Sequence, residues 1–314
     1  MTQTETPQTD APATPRSASA AISAAKLDRK LTGRRWWSAK TEADKIWRQP
    51  VVVVALLIAA AWAIIAFFAP LIAPFGPLDQ TSNIYAAPGG DHLFGTDELG
   101  RDVLSRVLYG AQLSIPLALS IVAASLVVGG ILGMIAGYIG KFADEAIMRL
   151  TDLVFAFPQI ILAMAVTAAL GPSTVNAVLA LVIVSWPVYA RVIRGAVLSI
   201  RSEDYLNVSR MLGVGPIKAL RKDVVPNSFG PAIVLAALEF GNAILLLAAL
   251  SFLGLGPRPP APEWGAMIAL GTNDISKWWV SVFPGLAILS VVIACNIIGD
   301  ALRDRLDPHS VGGR

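Results

Sequence analysis

Six apolar runs, at residues 51–73, 113–140, 153–171, 174–198, 230–256 and 281–300, come near or exceed the roughly 20 residues a helix needs to cross a bilayer. Lipid offers the backbone no hydrogen-bond partner, so each run must satisfy its own peptide groups as an α-helix. The expected fold class is therefore an all-α integral membrane protein with six transmembrane helices. Charge agrees with this, since only 15% of the 314 residues are Asp, Glu, Lys or Arg, against about 25% in soluble domains.

An even number of spans puts both termini on one side. Twenty-one of the 25 Lys and Arg residues then share a side, and only Arg101, Arg106, Arg258 and Lys277 lie on the other. The positive-inside bias predicts cytoplasmic termini in a plasma membrane. Spread over loops in this way, the basic residues point to topology and not to nucleic acid. Residues 1–45 read as a disordered or interfacial cytoplasmic tail without the apolar stretch of a signal peptide. Trp36, Trp37 and Trp47 among basic residues suit the membrane interface, although a solvated linker is the other reading. The remaining expected divisions are a first helix and extracytoplasmic loop at 46–112, a five-helix core at 113–302 and a cytoplasmic tail at 303–314.

Catalysis finds little support. The histidines, His92 and His309, are far apart, and the lone cysteine, Cys295, sits in the last apolar run. No catalytic, cofactor-binding or metal-ligating set is predicted. A phosphate loop of the G-x-x-x-x-G-K-[ST] type is also missing: Gly140-Lys141 has Ile135 where the leading glycine belongs and Phe142 where the hydroxyl belongs. Any ATP hydrolysis is expected on another polypeptide. A secondary transporter driven by protons would place ionisable groups at mid-membrane. Glu239, with Asn242 nearly one turn on, is the one clear candidate, read either as a buried structural pair or as part of a substrate pathway.

Three further patterns carry information. Gly129, Gly133 and Gly137 recur every four residues and predict a close helix–helix seam, either static or sliding. Asp97, Glu98, Arg101, Asp102 and Arg106 are spaced so that opposite charges meet on one face. They form either a structural clasp over the channel or a contact for a substrate-delivering protein. Between the fourth and fifth runs, Tyr205 to Leu212 predicts a helix, Gly213 its C-cap, and Pro216 the start of a second helix ending at Pro226. Two short helices about a tight turn predict either a rigid cytoplasmic knob that could take force from a soluble motor domain or an ordinary helical hairpin.

Several stretches together resemble the shorter permease of ABC importers for dipeptides, oligopeptides and nickel. They are His92-Leu-Phe-Gly-Thr-Asp-Glu-Leu-Gly-Arg101-Asp-Val-Leu-Ser-Arg106, Gly137-Tyr138 with Asp144-Glu145 and Met148 to Asp152, and Phe157-Pro158. Leu250 to Gly256 with Pro259 to Gly265, and Phe283-Pro-Gly285 with Asn296 to Asp304, complete the likeness from about residue 50 to Pro308. The resemblance implies a type I importer permease fold with a cytoplasmic coupling helix. It implies that a second homologous permease, two ATP-binding subunits and an extracytoplasmic substrate-binding protein work with the chain, with ATP and Mg held by the ATPases and no cofactor here. The knob would be the coupling segment, with Tyr205, Asn207, Ser209, Arg210, Gly213, Gly215, Pro216 and Pro226 as its ATPase-coupling residues. Asn207-Val-Ser209 replaces the family's Glu-Ala-Ala and Val225 its leucine, whereas Gly213 and Pro226 match. Di- or oligopeptides are the implied cargo, among relatives that also carry nickel chelates, haem or glutathione. A proton-coupled secondary transporter is the alternative.

Overall fold

Apolar runs of this kind have one stable backbone solution in lipid, and a computed structural model shows them as helices. It describes residues 46–201 and 225–306. The helices, in chain order, are α1 (Pro50–Ile72), α2 (Val103–Ile139), α3 (Lys141–Phe155), α4 (Gln159–Leu170), α5 (Thr174–Arg201), α6 (Val225–Phe252), α7 (Trp264–Gly271) and α8 (Trp279–Leu306), with a 3₁₀ turn at Ile275–Lys277. Five are long and apolar enough to cross a membrane, or six if the bent pair α3–α4 is one span.

Helix α5 is central: Leu181, Val184, Tyr189, Ala190 and Val197 are all essentially buried. Helix α1 lies at the edge, burying only Val52, Ala55 and Ala69 and presenting Leu57, Phe67 and Leu71 outward. An apolar surface of that size fits lipid or another helix, not water.

The glycine seam finds its partner in α5. A Cβ on Gly129 would stand 2.3 Å from the Trp186 carbonyl oxygen, one on Gly133 2.5 Å from that of Ala190, and one on Gly137 2.8 Å from the Val197 side chain. Hydrogen at these positions is what lets the two backbones touch. At the end of the seam, Arg201 donates to the Gly137 and Tyr138 carbonyls at 3.2 and 3.1 Å, satisfying acceptors that the end of α2 leaves open.

Several boundaries differ from the sequence expectation. The second helix starts at Val103, not 113, and reaches 37 residues, so the division drawn at 112/113 falls inside it. Its polar first turns look like a loop in sequence because their charges are paired inside the protein. The third run, expected at 153–171, is two helices bent by 92°. Pro158 disfavours helical backbone at Phe157 and removes a donor, and the 12 residues of α4 span only about 18 Å. The fifth helix runs 225–252 instead of 230–256, and Gly254, at φ +77°, turns the chain beyond it. Helix α7 was not anticipated. Residues 303–306, assigned to the tail, continue α8.

Amphipathic α3 is pinned to α5 by charge. Arg194 donates Nη2 to Asp144 Oδ2 at 2.7 Å and Nε to Oδ1, while Arg191 Nη2 meets Asp152 Oδ1 at 2.5 Å. These pairs hold α3 against α5 at a modest gain, because exposed pairs contribute about 0–1 kcal/mol each.

Candidate functional site

The loop between α1 and α2 closes into a buried polar knot. Gly95 and Gly100, at φ +75° and +73°, turn the chain so that Asp97, Arg101, Asp102 and Arg106 all lie within 4% of full burial. Buried charges persist only when paired, and each of these is. Asp97 takes Arg101 Nε at 2.7 Å on Oδ2, stands 3.5 Å from Arg106 Nε, and accepts the Leu99 and Arg101 backbone N–H groups on Oδ1. Arg106 Nη1 donates to the Pro77 carbonyl at 3.0 Å. Asp102 caps α2, accepting Ser105 N at 2.7 Å and Ser105 Oγ at 2.8 Å, and its other oxygen meets His92 Nδ1 at 2.9 Å.

From α8 the knot is held by Trp279 Nε1, which donates to the Thr96 carbonyl at 3.1 Å, and by Phe283 stacked on Phe94 at 3.8 Å between ring centroids. Of the five motif charges only Glu98 is partly exposed, and the other four are buried in the knot.

Beside the knot, the segment that carries Glu263 and Trp264 drops back into the bundle. Glu263, 1% exposed, caps α7 by accepting Ala266 N at 2.9 Å and stands 3.4 Å from Ser114 Oγ of α2. Burial pushes its carboxyl above the usual range, against the opposing pull of these hydrogen bonds. Trp264 is wholly buried, with Nε1 on the Val107 carbonyl at 3.0 Å and Trp62 edge-on at 5.1 Å. Gly265 lets it in, since a Cβ there would stand 2.2 Å from the Ala248 carbonyl. Sequence reasoning quoted this segment without giving it a place. Its local signal is an acidic cap before Trp-Gly, too short a stretch to register as a span.

Glu239 and Asn242 do come together on α6, half-buried, with Asn242 Nδ2 donating to Glu239 Oε2 at 3.1 Å. Sequence reasoning missed the hydroxyls of Ser125 on α2 and Tyr189 on α5, which are buried without a hydrogen-bond partner among the described residues. Tyr205, Asn207, Ser209, Arg210, Gly213, Gly215 and Pro216 lie outside the described residues. Pro226 is exposed in the first turn of α6, where a missing N–H costs nothing. Among the described residues no group of three His, Cys, Asp or Glu side chains could hold a metal ion.

Comparison with known proteins gives this geometry a context. Residues 129–311 match the family described as binding-protein-dependent transport system inner membrane component. The chain is 47% identical over 251 residues to the di/tripeptide transport system permease protein DppC of Pseudomonas aeruginosa, covering 77% of this chain and 83% of that protein. It is 42% identical over 263 residues to the dipeptide transport system permease protein DppC of Alkalihalophilus pseudofirmus, covering 83% and 86%. The Escherichia coli protein of the same name is 46% identical over 273 residues, covering 83% and 90%.

Proposed function

Since the chain belongs to the family of binding-protein-dependent transport system inner membrane components, we propose that it forms, with a second homologous permease, the pathway by which short peptides enter the cell. It is a multi-pass inner-membrane permease subunit of an ATP-driven importer, working in a complex with other subunits. That membership overturns the proton-coupled alternative. The single observation that carries the peptide cargo is the likeness, over most of the chain, to permeases named for dipeptides and tripeptides.

In this reading two ATP-binding subunits dock from the cytoplasm and an extracytoplasmic binding protein delivers cargo to the opposite face. Both termini are cytoplasmic, which puts the 92–106 knot and α7 on the delivery side. The segment from Tyr205 to Pro226 receives the motion of the ATPases, and α5 and α6, which flank it, pass that motion into the bundle. Rocking of two rigid halves then changes the side the cavity faces. The seam of α2 on α5 and the ion pairs between α3 and α5 support this, because they join three helices into one lever. Glu239 and Asn242 sit on α6 as a polar pair beside the pathway.

Two substitutions test the assignment. Gly213→Asp adds a side chain and a charge where the sequence predicts the turn of the coupling segment. It is expected to lower ATP-driven uptake at least about tenfold, the equivalent of 1.4 kcal/mol of lost docking, with the chain still inserted in the membrane. Unchanged uptake would remove this segment from coupling. Glu239→Gln keeps a hydrogen-bonding group for Asn242, so ATP-driven uptake is expected to stay within about fivefold of the wild type, the scale of one hydrogen bond. Abolished uptake would put ionised Glu239 on the transport path.

A further inference from the structure

A cavity of about 660 Å³ opens between the knot, the α4–α5 turn and the segment leading into α7. Its size lies in the roughly 300–1,000 Å³ range of small-molecule sites. Much of the wall is apolar, from Phe252, Pro260 and Leu270, but three arginines, Arg101, Arg106 and Arg258, are among its lining residues. Among the described residues that line it, Glu98 is the only carboxylate. Behind the wall Arg101 and Arg106 both lean on Asp97, whereas Arg258 has no ion pair among the described residues. Positive charge is in excess where low-dielectric walls strengthen its field.

Arg258 is the one of the three that ligand can reach. It is exposed, and its Nε donates to the Pro172 carbonyl at 2.9 Å. That bond fixes the plane of the guanidinium and leaves its terminal amino groups without a hydrogen bond among the described residues. A planar fork held in this way matches a carboxylate bidentately.

We propose that this cavity is a carboxylate subsite, in which Arg258 takes the C-terminal carboxylate of an incoming short peptide while Arg101 and Arg106 supply the field behind it. The proposal rests on the peptide reading above and on the topology that puts the cavity on the delivery side. Its apolar wall tolerates varied side chains, and selection falls on the charged end that all short peptides share.

The test uses the assembled transporter in lipid nanodiscs, without the binding protein, titrated with dialanine and with the C-terminal amide of dialanine. The amide is expected to bind about tenfold more weakly, the scale of a charge-assisted hydrogen bond. Arg258→Gln is expected to reduce dialanine to the level of the amide, and Arg258→Lys to restore part of the difference. Stimulation of ATP hydrolysis by the binding protein should be the same in wild type and Arg258→Gln. Equal binding of dialanine by wild type and Arg258→Gln would overturn the subsite. A loss of binding-protein stimulation with dialanine binding unchanged would also overturn it, by assigning Arg258 to an acidic side chain of that protein. Wild-type proteoliposomes that take up no dialanine with ATP and binding protein would instead overturn the peptide reading, and the subsite with it.

Discussion

Replacing Gly133 with leucine is expected to prevent the transporter from accumulating in the membrane. The Cβ alone would stand 2.5 Å from the Ala190 carbonyl oxygen and 3.0 Å from its Cα, and both are backbone atoms that cannot rotate aside. Helices α2 and α5 would have to part, and the contacts of Gly129 with Trp186 and Gly137 with Val197 would open with them. Overpacking of a fitted interface costs typically about 1–3 kcal/mol, and separating two long helices places leucine at the top of that range or beyond. The neighbouring glycine provides the contrast. A Cβ on Gly130 meets only the terminal Cδ1 of Ile193, at 3.3 Å, so Gly130→Ala should leave membrane levels and thermal stability of the purified complex close to wild type. Equal tolerance of both substitutions would mean that the seam does not hold the two helices together.

The second large effect is expected at Asp97. Asp97→Ala removes the carboxylate shared by Arg101 and Arg106 and the acceptor of two backbone N–H groups. Both guanidiniums would stay buried with too little negative charge beside them, and breaking a buried ion pair from one side costs about 3–5 kcal/mol. Arg149 and Glu145 form a pair of similar length, 3.2 Å, with side chains 78% and 67% exposed, so Glu145→Ala should change stability by less than about 1 kcal/mol. Thermal unfolding of the detergent-purified complex compares the two. Indistinguishable midpoints for Asp97→Ala and Glu145→Ala would contradict the clasp.

Sequence patterns made some of this legible and hid the rest for physical reasons. Lipid forces continuous apolar runs, so the long helices announce themselves, and the four-residue glycine spacing names the face of α2 that meets another backbone. It does not name α5, because a close approach needs only small residues on one side and a bare ridge on the other. The start of α2 was hidden because Asp102, Ser105 and Arg106 look like loop residues until each is seen to have a partner within the knot. Spacing showed that these charges could meet, but their near-complete burial depends on Trp279 and Phe283, almost two hundred residues away. The bend between α3 and α4 was signalled by Phe157-Pro158, yet an unbroken apolar composition masked the change of direction. Helix α7 is shorter than a span, and the place of Trp264 is set by Gly110, which leaves room for the indole, and by Gly265, which lets the chain approach the Ala248 backbone. The cavity beside it depends on three distant segments, and no linear pattern brings Arg258 next to Pro172.

The central claim is that this chain moves cargo only as part of an ATP-powered complex, and uptake into proteoliposomes tests it most directly. The complex that purifies with the chain is reconstituted, and dialanine entry is followed with and without ATP on the cytoplasmic face, an added binding protein and an imposed proton gradient. The account predicts uptake that requires ATP and the binding protein and that persists when the proton gradient is collapsed. Uptake by the chain alone, driven by a proton gradient and indifferent to ATP, would contradict it.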